Sequence, residues 1–174
     1  TYRADCYVEM EDYNSALVDL SKAIDLAPDE AKWYAYRSDI YEYIKDKEKQ
    51  LNDINTALDL DKEYSYGYRL RGDVYLKEKD YDNAIADYLQ AISFDSLYNY
   101  SKSHLAYCYL ELEKYSKALQ VLNEAIVIDS TYLDFYYARL QCYVLLGDTL
   151  KAFEDAETYI SIDSLFVTGY VCRG

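Results

Sequence analysis

Tyr68-Arg69-Leu70-Arg71-Gly72-Asp73-Val74-Tyr75, continued by Ala84, Tyr88, Ala91 and Ile92, carries the architecture of this chain. The last four residues fall at i, i+4, i+7 and i+8, which places them on one face of a helix. A first helix ending near Tyr75 precedes them. Between the two lies Glu78-Lys79-Asp80, a polar break too short for anything except an antiparallel helix pair. The segment predicts a helical hairpin.

Outward from Tyr75 the same hairpin recurs. Tyr7, Tyr41, Tyr75, Tyr109 and Tyr143 are each 34 residues apart, without insertion or deletion. Parallel columns read Ala16, Gln50, Ala84, Ala118, Ala152, then Ala23, Ala57, Ala91, Ala125, Tyr159, then Ile24, Leu58, Ile92, Ile126, Ile160. Asp61, Asp95, Asp129 and Asp163 mark the ends of units, and Gly147-Asp148 repeats the polar break. A fixed period of this size is the signature of stacked repeats, each burying its apolar faces against the next.

Composition agrees. With Gly 5 and Pro 1 in 174 residues the chain has few of the turns an all-β fold needs, and 51% apolar content argues against disorder. The formal charge of −14 opposes binding to a phosphate backbone or an anionic lipid surface, so neither nucleic acid nor membrane is expected as a partner. No apolar run approaches the ~18 residues of a transmembrane helix.

The pattern resembles the tetratricopeptide repeat, a 34-residue helix–turn–helix of the form W-x2-L-G-x2-Y, A-x3-F, P. Residues 68–75 take the first part with Arg71-Gly72 in place of Leu-Gly, Ala84 and Tyr88 take the second, and Ser96 replaces the proline that Pro28 keeps. The resemblance implies an all-α fold, a right-handed superhelical solenoid. Its units would span about 1–30, 31–64, 65–98, 99–132 and 133–166, with the start of a sixth at 167–174. Solenoids need polar caps, and Arg173-Gly174 begins a fresh first helix, so the sequence reads as a piece of a longer array or as one whose ends are covered.

Small residues should meet where paired helices cross: Ala4 with Ala16, Gly72 with Ala84, Ala106 with Ala118. Ser38 with Gln50 and Leu140 with Ala152 fit less well, which predicts some splaying of the second and fifth hairpins. The Tyr7 column should be mostly buried between paired helices. Arg3, Arg37, Arg71 and Arg139 each precede an Asp by sixteen residues (Asp19, Asp53, Asp87, Asp155), whereas the fourth repeat has Leu105 and Val121 at both places. Removing one member of a partly buried ion pair strands a charge, but replacing both can be neutral, so joint replacement predicts an Arg–Asp contact within each hairpin.

No spacing of nucleophile and base, carboxylate pair or metal cage is present, so no enzyme activity, metal or cofactor is expected. His104 and Cys108 supply at most half a zinc site. Cys6, Cys108 and Cys142 share a column with Ile40 and Val74, which reads as small apolar filler. Free thiols point to a reducing compartment and hence to the cytoplasm.

The resemblance further implies a concave wall made of first helices that receives a peptide or helix of a partner protein. Carried over position by position, that wall includes Asp39, Glu42, Tyr43, Tyr66, Arg69, Asp73, Tyr100, Tyr107, Tyr137 and Gln141. Asp5, Asp39 and Asp73 form an acidic column at its N-terminal half, with Glu9 and Glu42 nearby, while Tyr100, Tyr107, Tyr137, Val144 and Leu145 make the other half aromatic and apolar. A ligand basic at one end with apolar anchors at the other is expected. The Lys and Asn arrangement by which some family members grip a chaperone's terminal carboxylate is missing. Two other readings stay open: the scaffolding part of a larger multidomain protein, and a self-assembly module using uncapped ends.

Overall fold

The computed structural model describes residues 2–171, excluding the side chains of Tyr2, Asp5 and 165–171. The described residues form ten helices and no strand: α1 (Tyr2–Glu9), α2 (Tyr13–Leu26), α3 (Ala31–Tyr43), α4 (Lys47–Leu60), α5 (Ser65–Lys77), α6 (Tyr81–Phe94), α7 (Asn99–Glu111), α8 (Tyr115–Ile128), α9 (Leu133–Leu146) and α10 (Thr149–Val171). They pair as α1/α2 through α9/α10, and each pair leans on the next to make a right-handed solenoid. First helices also touch one another, α3 with α5 and α7 with α9, and so form the inner wall.

One turn serves all five hairpins. Glu11, Lys45, Lys79, Glu113 and Gly147 take positive φ, 34 residues apart. The next residue's N–H then reaches back to the carbonyl of the Tyr column: Asp12 to Tyr7, Asp46 to Tyr41, Asp80 to Tyr75, Lys114 to Tyr109 and Asp148 to Tyr143, at 2.8–2.9 Å. This left-handed cap satisfies carbonyls that a helix end leaves open. Asp12, Asp46, Asp80 and Asp148 then cap the second helix by accepting a backbone N–H three residues on. Only Gly147 is free of the steric penalty that a side chain meets at positive φ.

Ala4, Ala16, Ala84, Ala106 and Ala118 are buried at the helix crossings. Gly72 is required by Tyr88, since a Cβ there would stand 2.9 Å from the ring. The second hairpin is not splayed. Ser38 and Gln50 are both buried, the Ser38 hydroxyl donating to the Ala35 carbonyl and the Gln50 amide to Glu42. The Tyr7 column, expected to be mostly buried, is half-buried. Its rings sit at the turn end of each hairpin, where the ammonium groups of Lys49, Lys117 and Lys151 cover Tyr41, Tyr109 and Tyr143 at 5.3–5.6 Å.

The filler column also differs at one end. Ile40, Val74, Cys108 and Cys142 are buried, whereas Cys6 is exposed. Ile40 packs with Ala16 and Leu20 of the hairpin before it, so this column faces backwards along the stack, and among the described residues no preceding hairpin covers Cys6.

Asp163, the last of the unit-end column, lies inside a helix. Asp61, Asp95 and Asp129 each close a turn by accepting the N–H two residues on. α10 instead continues through Asp163 to Val171. Continuing the helix satisfies the backbone locally. Arg173 and Gly174 lie outside the described residues.

Candidate functional site

The Arg–Asp contacts predicted from the columns are present in four hairpins. Arg37 donates to both oxygens of Asp53 (2.7 and 2.8 Å), Arg71 to Asp87 (2.8 and 2.9 Å), Arg139 to Asp155 (2.8 and 2.6 Å), and Arg3 to Asp19 (2.5 and 2.6 Å). In the fourth, Leu105 and Val121 pack in an apolar cluster instead. The sequence did not reveal a third member. Arg37, Arg71 and Arg139 also reach the preceding hairpin, at Ser21, Asn55 and Asn123. These charges hold the stack and fix the inner wall.

On that wall lies a hollow of about 580 Å³, bounded by residues of α1, α2, α3, α5 and α7. Of the residues placed there by position, Asp39, Glu42, Tyr43, Tyr66, Arg69, Asp73 and Tyr100 line it together. Tyr107, Tyr137 and Gln141 lie outside it on α7 and α9, with Tyr107 and Tyr137 exposed. The side chain of Asp5 lies outside the described residues. Glu9, Tyr36, Lys77 and His104 complete the polar and aromatic lining.

Its centre is a guanidinium between two phenol rings. Arg69 lies 4.5 Å from the Tyr66 ring centroid and 5.0 Å from that of Tyr100, and donates to Asp73 Oδ2 at 2.7 Å. Arg69 Nε is buried without a hydrogen-bond partner. Asp73 also accepts from the Tyr88 hydroxyl at 2.6 Å, and Asp39 from the Tyr66 hydroxyl at 2.8 Å. His104 stacks on Tyr100, centroids 4.0 Å apart, with Nδ1 3.0 Å from the Tyr100 carbonyl oxygen, the geometry of an Nδ1–H donor. Lys77 pairs with Glu42.

The acidic column is therefore not the row of free charges the sequence suggests. Burial raises Asp39 to about 6, against the pull of the Tyr66 hydroxyl, and burial also raises Asp73. Even so, four carboxylates (Glu9, Asp39, Glu42, Asp73) face two cations (Arg69, Lys77) across the hollow. Sequence reasoning missed Tyr88 as a polar participant. Its column otherwise holds Leu20, Ile54, Leu122 and Ala156, and the added hydroxyl was the available signal.

Among the described residues no group of three or more His, Cys, Asp or Glu is placed to hold a metal ion, and no helix is long and apolar enough to cross a membrane. No curated protein matches the sequence. Among solved structures, MamA is similar over 95% of this chain and 96% of its own, with a TM-score of 0.82 and 16% identity. PilF of Pseudomonas aeruginosa is similar over 92% and 73%, with 0.83 and 16%. YrrB, described as a tetratricopeptide protein with an unusual peptide-binding site, is similar over 91% and 82%, with 0.72 and 18%. Identities this low speak to the fold alone. Models of the tetratricopeptide repeat match residues 3–30, 51–99 and 70–132, and with the 34-residue columns, the left-handed turns and the stacked hairpins they establish that this chain belongs to the tetratricopeptide repeat family.

Proposed function

We propose that the chain is an interaction scaffold whose concave hollow binds an extended or helical segment of a partner protein, basic at one end and anchored by bulky apolar side chains at the other. The observation that carries this reading is the composition of the hollow: an excess of carboxylates at its α1–α5 side beside the exposed aromatic surface of Tyr107 and Tyr137. A cationic end is attracted by Glu9, Asp39 and Glu42, and the rings take the apolar anchors. Arg69 Nε, buried and unpaired, suits a backbone carbonyl of the bound segment. YrrB supports peptide binding as a use of this fold.

The test is a panel of short synthetic peptides of graded charge, titrated at low and high salt against the parent protein and against Glu9→Lys and Tyr100→Ala variants. Basic peptides with apolar anchors should bind, weaken with salt and weaken in both variants. Preference for acidic peptides, or affinity indifferent to salt and to both substitutions, would overturn the assignment.

Self-assembly is favoured by one separate observation, the exposed Val144, Leu145, Leu146, Leu150 and Phe153 on α9 and α10. Light scattering over a concentration series distinguishes it, since a molar mass that grows with concentration supports stacking of chains.

A further inference from the structure

Three junctions between hairpins share one design. A first-helix Tyr (Tyr34, Tyr68, Tyr136) lies against the Arg three residues on (Arg37, Arg71, Arg139) at 5.6–5.7 Å. That Arg binds the Asp of its own hairpin and the Ser or Asn of the preceding one. The Tyr68 and Tyr136 hydroxyls donate to carbonyls of the connecting turn, at Lys62 and Ser130.

Between the third and fourth hairpins all four places change together. Lys102 stands for the Tyr, Leu105 for the Arg, Val121 for the Asp and Leu89 for the Asn. A ring has become a straight amine and a polar triad has become aliphatic. What remains is a hollow of about 240 Å³, walled by Leu89, Ile92, Leu105, Val121 and Ala125, with Lys102 in its lining. It shares no residue with the concave hollow.

Lys102 is 6% exposed, and its Nζ is buried without a hydrogen-bond partner. Asp95 and Asp129 act on it only through space. Both are already engaged, Asp95 by the Leu97 N–H and Asp129 by Asn99 and by the Thr131 N–H and hydroxyl. Glu124, at the exposed rim, accepts from the Gln120 amide. A buried ammonium with no acceptor is unfavourable, and a repeat that departs from its own pattern at four coupled places while leaving such a group marks a site rather than a packing variant.

We infer that this hollow is a second docking site, taking from a partner protein one bulky apolar side chain with a carboxylate beside it, an Asp or Glu next to a Phe, Tyr or Leu. The apolar group occupies the space that a Tyr ring fills at the other junctions. The carboxylate supplies the acceptor that Lys102 lacks. Its preference is opposite in sign to that of the concave hollow, so the two sites select different segments.

The experiment is methyl NMR of the intact chain, following Leu89, Leu105 and Val121 during titration with acetyl-Phe-Glu-amide, acetyl-Phe-Gln-amide and 4-phenylbutyrate. Saturable shifts with the Glu peptide, and binding about tenfold weaker with its neutral Gln counterpart, are expected. Lys102→Met should erase that preference while the helical circular dichroism stays unchanged. Lys102→Tyr, which restores the residue of the other junctions, should abolish the shifts. Absence of shifts, equal response to the Glu and Gln peptides, or shifts that persist in Lys102→Tyr would each overturn the site. A response to 4-phenylbutyrate without one to the Glu peptide would overturn the protein partner in favour of a free amphiphile.

Discussion

Asp39 sits in an environment that its sequence context does not announce. An Asp on the polar face of a helix is ordinarily ionised down to about pH 4, but burial in the wall of the hollow moves Asp39 to about 6. In the window between those values the folded state holds a proton that the unfolded state has released, so this group's contribution to stability falls as pH rises. Asp39→Asn keeps an acceptor for the Tyr66 hydroxyl and removes the charge. Urea unfolding of parent and variant from pH 4 to 7 should show the difference growing with pH, to about 1–3 kcal/mol in favour of Asn. A difference that is flat with pH would show that Asp39 is as well solvated as a surface carboxylate. At Arg71 the expectation is set by the chain itself. Arg71→Leu alone and Asp87→Val alone should each cost about 2–4 kcal/mol, because each leaves a partly buried partner charge. Both together, with Asn55→Leu, should recover most of that loss, since Leu105, Val121 and Leu89 are the same solution one repeat on. Strictly additive losses in the cycle would contradict the coupling.

The elements owe their ends to the left-handed turn more than to helix propensity. Lys79 sits at φ 60 in a place where glycine has no steric penalty, and Gly147 holds the equivalent place at φ 76 with open space around it. Lys79→Gly is therefore expected to stabilise by about 1 kcal/mol, and Gly147→Lys to destabilise by a similar amount. Denaturant midpoints of the two variants check this, and a loss at Lys79→Gly would mean that the side chain contributes more than the strain it bears. The half-buried Tyr column belongs to the same turn. Its carbonyl accepts the bond that closes the cap while its ring shields the hairpin end, so periodicity found the position but not the degree of burial.

Over the whole molecule, cysteine exposure reports the direction of stacking. Cys6 is exposed on the first hairpin, whereas Cys108 and Cys142 are buried against preceding hairpins and burial pushes their thiols up to about 12 and about 11. With Cys172 replaced by Ser, a thiol reagent should modify Cys6 at once and the other two only as inner junctions open, at rates that rise with urea. Equal labelling of all three in the native state would show that the repeats are not packed in this order.

The sequence by itself determined the period, the pairing of helices, the small residues at the crossings and the Arg–Asp contacts, because all of these recur at fixed spacing and each depends on neighbours within one or two units. The family resemblance, carried over by position, also placed seven wall residues that converge on one hollow. Tertiary structure alone decided which acidic side chains are free. Asp39 and Asp73 look like a solvated column until Tyr66, Arg69 and Tyr88, from other turns and helices, are seen to enclose them. It likewise decided that α10 runs past Asp163, since continuing the helix satisfies the same backbone groups that a turn there would. The hollow beside Lys102 was hidden for the same reason. Four substitutions spread over 33 residues become one site only when three helices bring them together.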